Sequence, residues 1–306
     1  MTFTIFIDII LPIFILIGVG AIVDRAFHLD LNTLSKLNFY VFVPALVFVK
    51  TLDAKLSPAL FGMVALFTLL HITLMFGISW CLFGAGHFRA ERPVLSLASV
   101  LSNAGNYGIP LATLAFGAQG ASAMAIVVLV QNLMTFTAGL WVMDGGRSHW
   151  RDMLIGFLKV PVVWAATAAI ALLELKVQVP APIHDPLAYL SDGLIPVALI
   201  TLGVQLARSH LGAHLRTVSL VTAIRLLLAP LVATLMVVAW TAIAPGSLGA
   251  LGPVMVIAAG MPVAVNVYIL SVEYERNSDL ASQMVFLTTL LSAVTLTGWL
   301  VLVKVS

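Results

Sequence analysis

Charge is what this sequence has least of. Lys, Arg, Asp and Glu make up 9% of its 306 residues and hydrophobic residues make up 61%, whereas soluble domains carry about 25% charged residues. A soluble fold could not cover its surface with so few charges. The apolar runs are long and unbroken rather than alternating, which indicates helices instead of a β-barrel. The composition therefore predicts an all-α integral membrane protein.

Cysteine and the common catalytic motifs are also scarce. Cys81 is the single cysteine, so an internal disulfide is excluded. The sequence has no Gly-rich phosphate loop ending in Lys-Ser/Thr, no His-Glu-x-x-His and no Gly-x-Ser-x-Gly. It also has no basic run of the kind that binds nucleic acid. We therefore expect no enzyme activity, no direct use of ATP, no cofactor and no nucleic-acid partner.

Apolar segments of about the twenty residues that a bilayer requires predict ten transmembrane helices joined by short loops. The first segment follows no positive leader and has no small-residue cleavage pattern, so we expect it to be retained as a span. The predicted spans are residues 3–23, 34–52, 58–83, 93–116, 122–142, 153–173, 186–207, 218–243, 248–272 and 280–303.

The spacing of prolines predicts an internal repeat. Pro110 follows Pro44 by 66 residues, and Pro262 follows Pro196 by 66 residues. We interpret residues 1–145 as a first five-helix repeat and 146–306 as a second. Because five is an odd number, the second repeat must enter the membrane inverted relative to the first.

The placement of basic residues predicts the orientation. With the N-terminus outside, ten of the 15 Lys and Arg residues fall in inner loops and four in outer segments, while Arg225 lies within a span. Lys and Arg accumulate in cytoplasmic loops. The asymmetry favours ten spans with both termini outside.

Two Gly-x-Pro sequences interrupt long apolar runs, at residues 102–110 and 259–266. Proline lacks an amide hydrogen and disfavours helical backbone before it, so we predict that helices four and nine are broken. In hydrocarbon such a break is tolerated only when it is buried in protein or lines a wet cavity. The partial charges of the half-helix ends could then hold an anion and a cation. The alternative is a simple proline kink in a packed helix.

The breaks supply the predicted substrate-binding residues. An Asn amide carries both donors and an acceptor, although it could instead satisfy the broken backbone. Arg225, about nine residues into span eight, could pair with a substrate carboxylate or extend to the inner surface. The predicted substrate-binding set is Asn103, Asn106, Gly108, Pro110, Gly260, Pro262, Asn266 and Arg225.

For several other polar residues within the spans, the sequence leaves two alternative roles. Ser102, Gln131, Asn132 and Gln205 could bind a cation or hold helices together. His71 could relay protons or form a structural hydrogen bond. We interpret Asp192 as a wetted residue near the outer surface.

The chain resembles the auxin efflux carrier family in its short bacterial form, which includes malonate-type carriers. The resemblance rests on Asn103-x-x-x-x-Gly108-Ile109-Pro110, on Gly260-Met261-Pro262 and on Val272-Glu273-Tyr274 with Asp279-Leu280-Ala281-Ser282. It covers essentially the whole chain. The long central cytoplasmic loop of the plant long-form carriers is missing here, so regulation of that loop by phosphorylation is not carried over.

The resemblance implies the fold of the sodium–bile acid and sodium–proton carriers, in which two inverted five-helix repeats cross at broken helices four and nine. It implies a scaffold of spans 1, 2, 6 and 7, a mobile transport unit of spans 3–5 and 8–10, and a homodimer in the bacterial inner membrane. It also implies that Asn103 contacts the substrate carboxylate.

We therefore expect a secondary active transporter of a small organic anion that works by an elevator-type movement. A malonate-like dicarboxylate is the first candidate and an auxin-like aromatic monocarboxylate the second. Symport with Na+ and symport with H+ both remain open. A transport-dead membrane receptor of the same fold is the rival class, against which stands the lack of a soluble output domain.

Overall fold

The computed structural model describes residues 2–53, 58–147, 149–209, 212, 214–249 and 251–305. Within these ranges the regular structure is helical, and the only β feature is an isolated antiparallel bridge between Ser102 and Val263. The helices are α1 Thr2–Phe27, α2 Leu31–Asp53, α3 Pro58–Leu82, α4 Arg92–Val100, α5 Ala104–Met143, α6 Trp150–Leu158, α7 Pro161–Glu174, α8 Ala181–Ala207, α9 Leu215–Ile243, α10 Leu251–Ala259, α11 Val265–Glu273 and α12 Ser278–Val305.

Seven of the helices in the described ranges are long and apolar enough to cross a membrane: α1, α2, α3, α5, α8, α9 and α12. The prediction of an all-α, multi-pass membrane protein is therefore confirmed. Predicted spans four, six and nine correspond to shorter segments, because the chain is interrupted within each of them. The count of ten spans and the inverted repeat stay predictions.

Two interruptions in or between the predicted spans coincide with a local change of the backbone at a glycine or a proline. The gap between predicted spans four and five falls at Gly117, whose φ of 65° and ψ of −152° bend α5. Predicted span six divides before Pro161, which occupies the first turn of α7 where its missing amide hydrogen costs nothing. Lys55, counted among the outer basic residues, lies outside the described residues.

Four helical prolines are each preceded by a π-helical turn that ends two residues earlier. A proline ring clashes with the carbonyl of the preceding helical turn, and one π turn moves that carbonyl aside without ending the helix. The turns Phe6–Ile10, Asn38–Phe42, Ala104–Gly108 and Ile224–Leu228 precede Pro12, Pro44, Pro110 and Pro230.

This accommodation corrects the expected position of the first break. We expected Gly108 and Pro110 to interrupt helix four, but the chain is helical from Ala104 through both of them. The break lies at residues 101–103, ahead of the proline. In the second break, Pro262 does lie in the non-helical segment between α10 and α11.

Helices α1 and α8 cross in close contact. A Cβ atom on Gly20 would overlap the carbonyl oxygen of Ile200, and one on Gly203 would overlap the carbonyl oxygen of Ile17. Small residues that let backbones approach are typical of helix packing in membranes. Large apolar side chains cover much of the outside, such as Ile22 at 68% exposure and Val294 at 73%, as a lipid-facing surface requires.

Polar contacts between loops and helix ends gather at the two ends of the molecule. At one end Arg208 forms a two-point ion pair with Asp24, at 3.0 and 2.6 Å, and the hydrogen bonds that Arg208 donates to this carboxylate raise the pKa of Arg208. At the other end Lys50 lies 3.6 Å from Asp192, whose side chain is 76% exposed. The exposure of Asp192 fits its interpretation as a wetted residue near the outer surface, which stays a prediction.

Candidate functional site

The two breaks are hydrogen-bonded to each other. The main-chain amide of Asn103 donates to the carbonyl oxygen of Pro262 at 2.8 Å, and the amide of Ala264 donates to the carbonyl oxygen of Leu101 at 2.9 Å. These bonds form the single β-bridge noted above. Polar backbone that would be costly in hydrocarbon is thus satisfied inside the protein.

A side chain from a neighbouring segment supports each break. In the first, the amide of Ser102 donates to Gln131 Oε1 at 2.9 Å, while Gln131 Nε2 donates to Ser102 Oγ at 2.6 Å. In the second, the amide of Val263 donates to Thr288 Oγ1 at 3.1 Å. The contacts of Gln131 match the alternative in which it holds segments together, because both ends of its amide bind Ser102.

Both half-helices that begin after the breaks present free amides. No acceptor within the described residues pairs with the main-chain amides of Gly105 and Asn106 in α5, or with those of Val265 and Asn266 in α11. All four residues line a cavity of about 320 Å³. Since a helix N-terminus carries a partial positive charge of about half a unit, the two ends make this wall electropositive.

Asn103 lies at the junction of this wall with the first break. It is only 5% exposed, and its Nδ2 atom has no hydrogen-bond partner among the described residues. A buried donor without a partner costs about 1–3 kcal/mol. Such a cost is expected where a ligand supplies the missing acceptor. The predicted site residues that line the cavity are Ser102, Asn103, Asn106, Gln131, Asn132 and Asn266.

Another part of the lining comes from the start of α2, which the sequence interpretation missed. Asn32, Lys36, Phe39 and Val43 line the cavity, and their spacing places them on one face of a helix. This spacing is visible in the sequence, although none of the four residues belongs to the predicted site. Glu273, at the end of α11, lines the cavity as well.

A capping residue fixes the beginning of α2. The Asp30 carboxylate accepts hydrogen bonds from the amides of Asn32 and Thr33 at 3.3 and 3.2 Å, and also from the Thr33 hydroxyl. The bonds from Thr33 lower the pKa of Asp30. Deeper in the cavity wall, Asn38 donates through Nδ2 to Thr201 Oγ1 at 3.0 Å.

The structure does not bring every predicted residue into this cavity. Gly108 packs against Met124, and Arg225 is buried among main-chain carbonyls behind the breaks. His71 pairs its Nε2 with the carbonyl oxygen of Ala229 at 3.0 Å, which matches the structural alternative. The predicted site residues that lie outside the described lining are Gly108, Pro110, Gly260, Pro262, Arg225 and Gln205.

The polar groups of the cavity lining indicate which ligands it could bind. The described residues contain no group of three or more His, Cys, Asp or Glu side chains that could hold a metal. The lining offers the unpaired amide donors, the ammonium group of Lys36 and the carboxylate group of Glu273.

These features define a multi-pass membrane protein with a polar cavity at the meeting point of two broken helices, as transporters have. Residues 5–300 match the family model described as membrane transport protein. The chain belongs to this family, and the resemblance to the auxin efflux carriers is confirmed. The family points to a transporter rather than to an enzyme.

Three relatives are also described as transporters. At 28% identity the chain is similar to a protein of Rhizobium meliloti described as a "putative malonate transporter", with 96% of this chain and 95% of the relative covered. An uncharacterized transporter of Methanothermobacter thermautotrophicus is 26% identical over 88% of each chain. A third relative, an uncharacterized transporter of Methanocaldococcus jannaschii, is 24% identical over 96% of this chain and 98% of its own.

Proposed function

We propose that this protein is a secondary active transporter of a small carboxylate, which it binds at the crossing of its two broken helices. The observation that carries the proposal is the unpaired Nδ2 donor of Asn103 beside the free amides of Gly105, Asn106, Val265 and Asn266. Two helix N-termini together supply about one unit of positive charge. One carboxylate group would balance that charge.

A malonate-like dicarboxylate is the substrate that we favour. Lys36 is the one basic residue in the described lining, and it could receive the second carboxylate. The volume of about 320 Å³ lies at the small end of ligand pockets, about 300–1,000 Å³. The name of the Rhizobium meliloti relative supports the same substrate class.

The transport mechanism we propose is an elevator-type movement. Residues 1–145 and 146–306 would form two inverted five-helix repeats with ten spans in all, and both termini would lie outside the bacterial inner membrane. Predicted spans 1, 2, 6 and 7 would be the scaffold, as the close contact of α1 with α8 supports. Spans 3–5 and 8–10 would move, and two copies would associate as a homodimer.

The polar contacts at the two ends support this orientation. Loops predicted to lie inside contact one another: Arg276 donates to the carbonyl oxygen of Met143 at 2.9 Å, and Asn277 donates to Glu91 at 2.7 Å. Asn32, Lys36 and Glu273, the three exposed polar residues of the lining, belong to the same predicted inner end. The cavity would therefore be open to the cytoplasm.

An aromatic monocarboxylate of the auxin type is the second candidate. Phe39, Tyr40 and Phe136 line the cavity. The Phe39 ring lies edge-on to the other two, with centroid distances of 5.0 Å to Tyr40 and 5.6 Å to Phe136. Such a cluster could pack against an indole ring.

The test is ligand-dependent thermal stability of the purified protein against malonate, other small carboxylates and indole-3-carboxylates. A ligand that binds the native state raises its apparent stability. We expect a shift with malonate that is lost in Asn103→Ala and kept in Asn277→Ala, because Asn277 contacts Glu91 and is not part of the described lining. Counterflow in proteoliposomes then separates a carrier from a transport-dead receptor.

Either of two results would contradict the proposal. One is the absence of a shift and of counterflow with every carboxylate. The other is a carboxylate shift of the same size in Asn103→Ala and in the unaltered protein, which would place the site elsewhere.

A further inference from the structure

Arg225 binds the ends of both half-helices that stop at the crossing. Its Nε donates to the carbonyl oxygen of Met261 at 2.9 Å, and Nη2 donates to that of Ala259 at 2.8 Å. Its Nη1 donates to the carbonyl oxygens of Ser99 and Val100 at 3.3 and 3.2 Å. The side chain is 1% exposed. One guanidinium group thus links the C-terminal ends of α4 and α10.

The charges at this point balance. Each helix C-terminus carries about half a unit of negative charge, so the ends of α4 and α10 together carry about one unit. The guanidinium group supplies one positive charge, and no carboxylate within the described residues lies at ion-pair distance from it. The carbonyl ends of the half-helices are therefore its counter-charge.

The space around Arg225 is nearly full. A cavity of about 20 Å³ remains, lined in part by Thr68, His71, Gln131 and Arg225. Such a volume holds about one water molecule. Among the expected cation ligands, Ser102 and Gln131 already bind each other.

We propose that Arg225 is the built-in cation of the crossing, occupying the place between the carbonyl ends that a co-transported sodium ion would otherwise take. Arg225 is then a positioning residue, which acts on the substrate through the two breaks that it holds. Carboxylate transport needs no Na+ at the crossing. This inference rests on the proposed carrier function in the transport test, but not in the stability test.

The first test uses the unaltered protein in proteoliposomes. Malonate counterflow is measured in Na+ medium and in choline medium of equal ionic strength. We expect the two rates to agree within about two-fold. A saturable stimulation by Na+ of about ten-fold or more would overturn the proposal, because a specific Na+ site would then be part of the cycle.

The second test needs no substrate, so it is independent of the proposed function. Arg225→Ala, Arg225→Lys and Arg225→Gln are compared by apparent melting temperature in detergent. We expect a large decrease for the neutral variants and a smaller one for Arg225→Lys, which keeps the charge. Low concentrations of guanidinium or methylguanidinium should raise the melting temperature of Arg225→Ala, because the ion can replace the lost side chain.

The control is Arg92→Ala. In the unaltered protein the guanidinium group of Arg92 packs on the Trp80 ring 3.9 Å away and donates to the Trp80 carbonyl oxygen. Guanidinium should only lower the stability of this variant and of the unaltered protein. A merely structural loss at Arg225 would respond in the same way, so the absence of rescue would overturn the proposal. An Arg225→Gln protein with the same melting temperature as the unaltered protein would also overturn the proposal. If the neutral variants do not fold, the test relies on Arg225→Lys. Failure of this charged variant to fold would also contradict the proposal.

Discussion

The main-chain amide of Asn103 and the carbonyl oxygen of Pro262 lie 2.8 Å apart, so the two broken helices are joined directly at the crossing. Neither break can shift along the membrane normal by a few ångströms alone without losing this bond. The free amides of Gly105 and Val265 are consequently held in one rigid arrangement. A transport unit that moves as one body would carry the whole binding wall with it.

Replacing Asn103 with aspartate should weaken anion binding strongly while leaving the fold intact. The side chains are nearly isosteric, but the donor Nδ2 is replaced by an oxygen that repels a carboxylate. Loss of a hydrogen bond to a charged group costs about 1.5–3 kcal/mol, so we expect Kd for malonate to rise at least about ten-fold. Isothermal titration measures it, with Asn277→Asp as the control; an unchanged Kd in Asn103→Asp would exclude contact with the substrate.

Replacing Lys36 with glutamine should weaken dicarboxylate binding selectively. Because Lys36 is exposed at the cavity mouth, its ion pair with a second carboxylate is worth at most about 1 kcal/mol, or about five-fold in Kd. Acetate or another monocarboxylate should be little affected.

The matched control is Lys50→Gln on the same helix, since Lys50 pairs with Asp192 and is not part of the described lining. The measurement is competition by both substrate classes at low and high salt, because salt should reduce the contribution of Lys36. Equal weakening of both classes by Lys36→Gln would show that this residue does not read the second carboxylate.

Replacing Thr288 with valine should destabilise the protein more than the same change at Thr289. Both hydroxyls donate to a carbonyl of their own helix, but only Thr288 also accepts from the amide of Val263, at 3.1 Å. Thr288→Val leaves that buried amide unpaired, at about 1–3 kcal/mol. Chemical unfolding of the two variants in parallel gives the comparison, and equal losses would mean that the break does not depend on Thr288.

Adding one methyl group to Gly20 should disrupt the contact of α1 with α8, whereas Gly18 on the same helix should tolerate it. A Cβ on Gly20 would overlap the carbonyl oxygen of Ile200, but one on Gly18 meets nothing within 4 Å. We expect Gly20→Ala to cost about 1–3 kcal/mol through overpacking.

Gly18→Ala should be neutral or slightly stabilising, because alanine favours the helix over glycine by about 0.5–1 kcal/mol. Melting temperatures of the two variants in the same detergent make the comparison. If Gly20→Ala and Gly18→Ala had the same melting temperature, α1 and α8 would be free to separate at this contact.

Much of the architecture could be read from patterns that depend only on local chemistry. Sparse charge and long apolar runs required membrane helices, and the Asn-rich interruptions located the crossing. The proline motif was a poorer guide to the position of the first break, because the π turn before Pro110 relieves the clash that should have ended the helix.

By itself, the sequence determined that the chain lies in the membrane and that it is helical, because burial of apolar surface and unpaired peptide groups obey rules of composition and spacing. It predicted a site at Asn103 and Asn266 but left a simple proline kink as the alternative. Only the tertiary structure decided what each polar side chain does there. Arg225 turned away from the cavity to the carbonyl ends of α4 and α10, and Lys36 joined the cavity wall from a distant helix. Partners of this kind are chosen by contacts between segments far apart in the chain, which no local pattern encodes.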